Sequence, residues 1–141
     1  MHDRDRIAKD IADMAMARRE IEQLVAVDQA TFFSDSRNVF SVRYLLIQAV
    51  EAMTDLCQHI LARTHGIPCD GYIDCIVKAG EHGIISVALA ERLRRLAALR
   101  NILVHRYWNI DDVRVYVETK ANVSDLTTFI DEIEALVRTL P

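Results

Sequence analysis

The chain has 141 residues, of which 51% are hydrophobic and 27% are charged, with only four glycines and two prolines. This length suits a single domain with a sizeable core, and this composition is typical of a helical protein, which excludes a disordered tail and a turn-rich β-sandwich. The net charge of −4 argues against a general nucleic-acid coat protein, because such proteins bind phosphate through a large positive surplus, yet it allows a local basic site.

Apolar residues that recur every three or four positions predict amphipathic helices along the chain. The predicted helices cover residues 4–28, 37–65, 72–79, 86–108 and 111–140. Ser36 is the predicted cap of the second helix and Asp111 that of the last, Gly66 ends the second, and Asn109 interrupts the fourth. A break of the last helix near Asn122 is left open. The fold class that follows is all-α, an up-and-down bundle of four to five helices that forms one domain over residues 1–141.

Several features of the sequence favour the cytoplasm. No apolar run approaches the length of a membrane span, and the charged start MHDRDRIAKD lacks the apolar core of a signal peptide. The three cysteines, Cys57, Cys69 and Cys75, are an odd number without CxxC spacing, which favours reduced thiols over a disulfide framework. We therefore expect a cytoplasmic protein without a membrane interaction.

His59 and His65 lie near these cysteines in the sequence and make a zinc site conceivable. Structural zinc sites usually bring their ligands in closely spaced pairs, and this stretch does not have that spacing. Small buried thiols and exposed histidines are the plainer interpretation, so we expect no bound metal.

The stretch RNILVHRYW, residues 100–108, puts polar side chains on a helix face that ought to be packed. With about 100° per residue, Arg100 and Tyr107 fall within the arc of the leucines of this helix, while Asn101 and His105 lie together at its polar edge. An unpaired charge is costly to bury, so Arg100 needs a carboxylate or a water-filled cleft in which an anion binds. Each residue alone is more often structural than functional, but the combination indicates a site.

The same helix is basic although the chain is acidic. Between residues 91 and 106 there are five arginines and one acid, a local charge of +4. This charge favours an anion site, with phosphate as the first candidate. A solvated basic face is an equal alternative on charge alone.

The pattern RNILVHRY, Arg-x4-His with a tyrosine two residues beyond the histidine, resembles the motif of HEPN domains. The wider stretch LAERLRRLAALRNILVHRYWNIDDVRVY resembles the HepT-like branch of that superfamily, and VRYLLIQAVEAMTDLCQHIL resembles the second helix of that branch. The resemblance covers roughly residues 37–137.

This resemblance implies a helical dimer that acts as an endoribonuclease without a metal ion or another cofactor. Many such proteins are toxins, neutralised by a minimal nucleotidyltransferase (MNT) that is encoded beside them and transfers AMP from ATP to the tyrosine of the motif. The motif residues carry over as Arg100, Asn101, His105 and Tyr107, with Tyr107 as the AMP acceptor. A carboxylate of the second helix, Asp55 or Glu51, is expected to orient the arginine. The alternative for Tyr107 is packing against Leu103 at the dimer edge.

RNA cleavage needs little beyond these residues, because RNA carries its own nucleophile, the 2′-hydroxyl. His105 can transfer protons near neutral pH, Arg100 can stabilise the charge that grows on the phosphate, and Asn101 can orient either group. One imidazole cannot readily be base and acid at once, and Arg100 and His105 lie about 140° apart around a helix. We therefore expect a homodimer with the motif lining its central cleft.

Two alternatives to a ribonuclease remain. The first is a non-catalytic helical partner, or substrate-binding module, of a nucleotidyltransferase, although a scaffold would not require the intact set of Arg100, Asn101, His105 and Tyr107. The second is a helical DNA-binding regulator, which is the poorer candidate because EHGIISVALAERL lacks a convincing turn into an exposed recognition helix.

Overall fold

The computed structural model describes residues 3–141 and contains seven α-helices within them, with no strand in that range. The helices are α1 (Asp3–Val25), α2 (Gln29–Phe33), α3 (Ser36–His65), α4 (Tyr72–Glu81), α5 (Val87–His105), α6 (Asp112–Asn122) and α7 (Ser124–Val137). The predicted all-α bundle is therefore confirmed, with more helices than the expected four to five. The first two residues of the predicted domain lie outside the described range.

The segment between α1 and α3 differs from the predicted connection, because it forms the short helix α2. Asp28 caps α2 by accepting a hydrogen bond from the amide of Thr31 at 2.8 Å. Asp35, not Ser36, caps α3, since its Oδ1 accepts from the amide of Arg37 at 2.9 Å. The prediction of Ser36 as the cap is thus wrong by one position, because aspartate beside serine offers the stronger acceptor for the positive end of the helix.

Other helix ends follow the predicted local signals. Gly66 ends α3 in the left-handed conformation, with φ of 64°, which a residue without a Cβ adopts at little cost. Ser86 caps α5 through a bond from the amide of Leu89 to its Oγ at 3.3 Å, and Asp111 caps α6 through the amide of Arg114 at 3.1 Å. The predictions for Gly66 and Asp111 are confirmed, and the helix predicted to start at residue 86 starts at Val87, with Ser86 as its cap.

The break near Asn122 that the sequence left open is real. Residue Val123 separates α6 from α7 while keeping helical dihedral angles, with φ of −59° and ψ of −27°. Asn122 Nδ2 donates to the carbonyl of Glu118 at 2.9 Å, a side-chain bond of the kind that competes with the helix ladder. The last predicted helix is therefore two helices.

The core is built around α3, which packs along α1 on one side and against α4 and α5 on the other. Its most buried side chains, each at most 1% exposed, include Met53, Leu56 and Ile60. Helix α4 approaches α5 closely at Gly80, where a Cβ would come within 2.5 Å of the Cβ of Ala90. The end of α4 thus contacts the start of α5, and the start of α4, at Tyr72, contacts Arg100 in the second half of α5. None of the helices between residues 3 and 141 combines the length and the apolar character needed to cross a bilayer.

Candidate functional site

The side chain of Arg100 lies where α3, α4 and α5 meet, and only 11% of its surface is exposed. Its Nη2 donates to Oε1 of Glu51 on α3 at 2.8 Å, and its Nη1 donates to Oδ1 of Asn101 at 3.2 Å. Glu51 thus supplies the carboxylate that a nearly buried guanidinium requires. Its own side chain is 46% exposed, so the pair lies at the protein surface with the arginine on the inner side.

Tyr72, the first residue of α4, completes the surroundings of Arg100. Its ring lies over the guanidinium, with 3.9 Å between Cζ of Arg100 and the ring centroid, which is close enough for cation–π attraction. Its hydroxyl donates to Glu51, with 2.8 Å to Oε1 and 2.9 Å to Oε2. Burial, and after it the hydrogen bond to Glu51, raise the pKa of the Tyr72 phenol above its ordinary value, so the hydroxyl is a protonated donor at neutral pH.

Tyr72 is absent from the site residues that the sequence predicts. Gly71, just before it, has φ of 97°, a conformation that favours glycine and turns the chain into α4. The only local signal is therefore an aromatic residue at the start of a short helix. Its contact with Arg100 depends on how α4 packs against α5, which the sequence does not reveal.

Asp55, the other carboxylate predicted to orient Arg100, lies one turn further along α3 and contacts α1 instead. It accepts two bonds from Arg6, at 2.7 Å from Nη2 and 3.2 Å from Nε. The hydrogen bonds from Arg6 and then from Asp10 lower the pKa of Asp55 to about 2. Burial, followed by the hydrogen bond to Asp55, raises the pKa of Asp10 to about 7. The structure therefore assigns the contact with Arg100 to Glu51 and not to Asp55.

The Asp10–Asp55 pair predicts a pH-dependent stability. Asp10 has a higher pKa in the folded chain (about 7) than in the unfolded chain (about 4), so the folded state binds more protons between these values and stability falls as pH rises. We expect the free energy of unfolding, measured in urea, to fall by about 1–3 kcal/mol more in the wild type than in Asp10→Asn between pH 5 and pH 8.

The asparagine variant is a suitable reference because its amide can still donate to Asp55, which stays ionised in both states throughout this pH range. Parallel pH dependence in the two proteins would show that Asp10 is not the proton carrier.

Helix α5 ends earlier than the sequence predicts. His105 is exposed and is the last helical residue, Arg106 leaves the helix with φ of −133° and ψ of 39°, and the amide of Asn109 donates to the carbonyl of Arg106 at 2.9 Å. The prediction of a helix through residue 108 is therefore wrong. Tyr107, Trp108 and Asn109 are only moderate helix formers, and no buried contact favours helical geometry for the two aromatic side chains.

Tyr107 consequently lies in a turn and not within the packed arc of α5, as the helical projection predicted. Its side chain is 62% exposed and that of Trp108 is 72% exposed. Their rings meet edge to face, with 5.2 Å between centroids. An exposed phenol that follows His105 by two residues is open to a partner protein, whereas the alternative of packing against the buried Leu103 calls for a covered side chain.

Acidic neighbours partly neutralise the arginine-rich helix. Arg92 Nε donates to Asp125 of α7 at 2.9 Å, and Arg94 Nη2 donates to Glu91 at 2.9 Å. No ion pair involves Arg106 among residues 3–141, and its side chain is exposed. Arg95 is likewise exposed and has no ion pair within residues 3–141. Positive charge is therefore available for a phosphate both along α5 and at the end that carries His105.

No cluster of metal-binding side chains occurs in the described part of the chain. Within it, no group of three or more His, Cys, Asp or Glu residues is placed to hold a metal ion. Cys57, Cys69 and Cys75 are free thiols, and burial raises the pKa of the Cys57 and Cys75 thiols above the ordinary value. These cysteines are packing residues in this structure.

The amino-acid sequence of this chain is similar to those of known ribonucleases. The model of the family described as Ribonuclease HepT-like matches residues 14–133. The chain is 30% identical over 133 residues to the mRNA nuclease HepT of Shewanella oneidensis, an alignment that covers 93% of this chain and 98% of that protein. It is 25% identical over 96 residues to the tRNA nuclease HepT of Aphanizomenon flos-aquae, covering 68% of this chain and 65% of that one.

Solved structures with the same fold include a tri-AMPylated HEPN toxin of Shewanella oneidensis in complex with an MNT antitoxin. The two chains superpose with a TM-score of 0.83 at 26% identity, covering 96% of this chain and 99% of that one. A toxin–antitoxin structure with AMP-PNP gives a TM-score of 0.81 at 26% identity, covering 94% and 99%.

Proposed function

The chain belongs to the HepT-like ribonuclease family, and we propose that it is the toxin of a HEPN/MNT toxin–antitoxin pair. It cleaves RNA in the cytoplasm without a metal ion, with Arg100 and His105 as catalytic residues and Asn101 as a supporting residue. A cognate nucleotidyltransferase silences it by transferring AMP to Tyr107. The observation that carries this proposal is a guanidinium fixed by Glu51 and Asn101, five residues before an exposed histidine.

The chemistry follows from the two functional groups. The 2′-oxygen of a ribose attacks the adjacent phosphorus, the bond to the 5′-oxygen breaks, and the products are a 2′,3′-cyclic phosphate and a 5′-hydroxyl. An imidazole exchanges protons near neutral pH, so His105 can take the proton from the 2′-hydroxyl or deliver one to the leaving oxygen. Arg100 stabilises the extra negative charge on the phosphate, and it needs no reorganisation because its partners already hold it.

A site shared between two copies of the chain would supply the second histidine and the second arginine that one copy lacks. One His105 cannot serve as base and acid in the same step, and about 140° separates it from Arg100 around α5. Two copies of α5 facing each other across a two-fold axis would bring a second histidine and a second arginine to the same phosphate. The homodimer is therefore part of the proposal.

An exposed apolar surface is available for this pairing. Phe40 of α3 is 61% exposed, and Val113 and Val117 of α6, one turn apart, are 46% and 49% exposed. The Arg43 guanidinium lies 5.8 Å from the Phe40 ring and binds Asp112 at 2.6 Å, which ties α3 to the start of α6. Exposed apolar side chains on two helices that an ion pair holds together favour a protein–protein contact.

We expect light scattering at micromolar concentration to give twice the chain mass of 16.1 kDa. Phe40→Glu is expected to convert the dimer to a monomer, because it buries an unpaired charge in the contact, and to reduce RNA cleavage at least tenfold as each site loses its second half. Met16→Glu is the matched control, since Met16 is also an exposed apolar residue, at 53%, but belongs to a different helix, α1. A monomeric wild type would contradict the shared site.

The experiment that tests the proposed function is RNA cleavage by the purified chain in excess EDTA. We expect fragments that end in cyclic phosphate, produced at the same rate with and without the chelator. Loss of cleavage in EDTA that added divalent ions restore would contradict metal independence. If no RNA is cut under any condition while the chain still binds its neighbouring nucleotidyltransferase, the non-catalytic partner becomes the better function.

A further inference from the structure

Arg100, Glu51 and Tyr72 form a closed set of contacts, and Tyr72 is the member that the sequence did not predict as a site residue. The Tyr72 ring lies 3.9 Å from Cζ of Arg100, the Tyr72 hydroxyl binds both carboxylate oxygens of Glu51 at 2.8 and 2.9 Å, and Glu51 accepts from Arg100 at 2.8 Å. Each member touches the other two. Movement of any one therefore breaks two contacts.

These contacts decide which donors of Arg100 remain for a ligand. A guanidinium has five N–H groups. Glu51 takes one on Nη2, Asn101 takes one on Nη1, and Nε is buried without a hydrogen-bond partner among the described residues. One N–H on each terminal nitrogen is left, which is the arrangement that binds two oxygens of a phosphate.

Tyr72 fixes the orientation of the Arg100 guanidinium plane, and with it the direction of these two N–H donors. An arginine side chain has many rotamers in solution, and holding it in one is costly in entropy. The aromatic face restricts tilting of the guanidinium, and the phenol fixes the position of the Glu51 carboxylate that holds Nη2. We infer that Tyr72 is a positioning residue of the cleavage site, which sets the orientation of Arg100 toward the scissile phosphate. This inference rests on the proposed ribonuclease function.

Substitution of Tyr72 is expected to change kcat much more than KM. RNA binds through many phosphates, and Arg100 touches one of them, so its misorientation changes KM by less than about threefold. The charge that grows in the transition state lies on that one phosphate, so Tyr72→Leu is expected to lower kcat about tenfold. Tyr72→Phe keeps the ring and loses only the hydroxyl bond, so it should recover more than half of the lost rate on a logarithmic scale.

A purely structural role is tested with Ile73→Ala. Ile73 is the next residue of α4 and packs against the core, so its truncation loosens α4 without removing a contact of Arg100. The inference holds if Ile73→Ala keeps the wild-type kcat while its melting temperature falls at least as far as that of Tyr72→Leu. It is overturned if Tyr72→Leu keeps the wild-type kcat, or if the two variants lose activity in proportion to their loss of stability.

A spectroscopic measurement separates this inference from the proposed function. Because the Tyr72 ring lies 3.9 Å from Cζ of Arg100, we expect its ring current to shift the guanidinium protons of Arg100 upfield. The Arg100 signal is assigned from its loss in Arg100→Lys. We expect that upfield shift to vanish in Tyr72→Leu and to persist in Tyr72→Phe. An unchanged Arg100 signal in Tyr72→Leu overturns the inference. A shift that behaves as expected in a protein that cuts no RNA supports the positioning and overturns the ribonuclease.

Discussion

Replacing His105 by alanine is expected to lower the rate of RNA cleavage by about 10²- to 10⁴-fold, the usual contribution of a positioned acid or base. His105 is exposed at the last position of α5, so the substitution removes a functional group without opening a cavity. The melting temperature should therefore stay within a few degrees of the wild type, and the oligomeric state should not change. Single-turnover cleavage of a labelled RNA in EDTA, with enzyme in excess, measures the chemical step.

His65→Ala is the matched control for this variant. His65 is exposed and is the last residue of α3, as His105 is of α5, and its Nδ1 lies 2.7 Å from Oγ1 of Thr64. Its removal should leave cleavage unchanged. If His105→Ala cleaves as fast as the control, proton transfer by His105 is wrong and the activity must be assigned to other groups.

The bundle could be predicted because long helices leave strong periodic signals. The apolar spacing is repeated along the thirty residues of α3, which make about eight turns. Gly66 and Ser86 mark helix ends because their effect on the backbone depends only on residues next to them in the sequence. The short helix α2 could not be predicted in the same way, since five residues span little more than one turn. Its existence depends on packing, with the buried Phe32 ring 4.7 Å from that of Tyr116 on α6.

The sequence alone could not decide which carboxylate binds Arg100. Glu51 and Asp55 are four residues apart and therefore project from neighbouring turns of the same side of α3. Which one meets the arginine depends on where α5 and α1 cross α3. In the structure, α1 brings Arg6 to Asp55 and α5 brings Arg100 to Glu51. No local pattern contains this information.

The helical projection of α5 failed at its last turn for a related reason. The repeat assumed that the helix continues to residue 108, and this assumption put Tyr107 among the leucines. A helix ends where packing no longer stabilises the helical backbone more than contact with water does. Here the chain turns toward the Asp111 cap of α6. The consequence for function is direct, because the turn exposes the phenol that the helix would have covered.

Replacing Tyr107 by phenylalanine is expected to abolish AMP transfer to this chain. In that reaction the phenol oxygen attacks the α-phosphorus of ATP, the bond to the β-phosphate oxygen breaks, pyrophosphate leaves and the phenol proton passes to solvent or a base. The phenylalanine ring keeps the shape and lacks the nucleophile, so folding and RNA cleavage should persist. The modified tyrosine would carry a new negative charge and a nucleoside at the end of α5, which block RNA by charge and by volume.

Intact mass after co-expression with the nucleotidyltransferase proposed as its partner measures the transfer. The wild type should gain one or more AMP units, and Tyr107→Phe should gain none while its cleavage activity is no longer suppressed. Tyr44→Phe is the matched control, because Tyr44 is 61% exposed against 62% for Tyr107 but lies on α3 with its hydroxyl 3.1 Å from Nε2 of Gln48. It should be modified like the wild type. Equal modification of Tyr107→Phe and the wild type would place the acceptor elsewhere on the chain, and a loss confined to Tyr44→Phe would identify that residue.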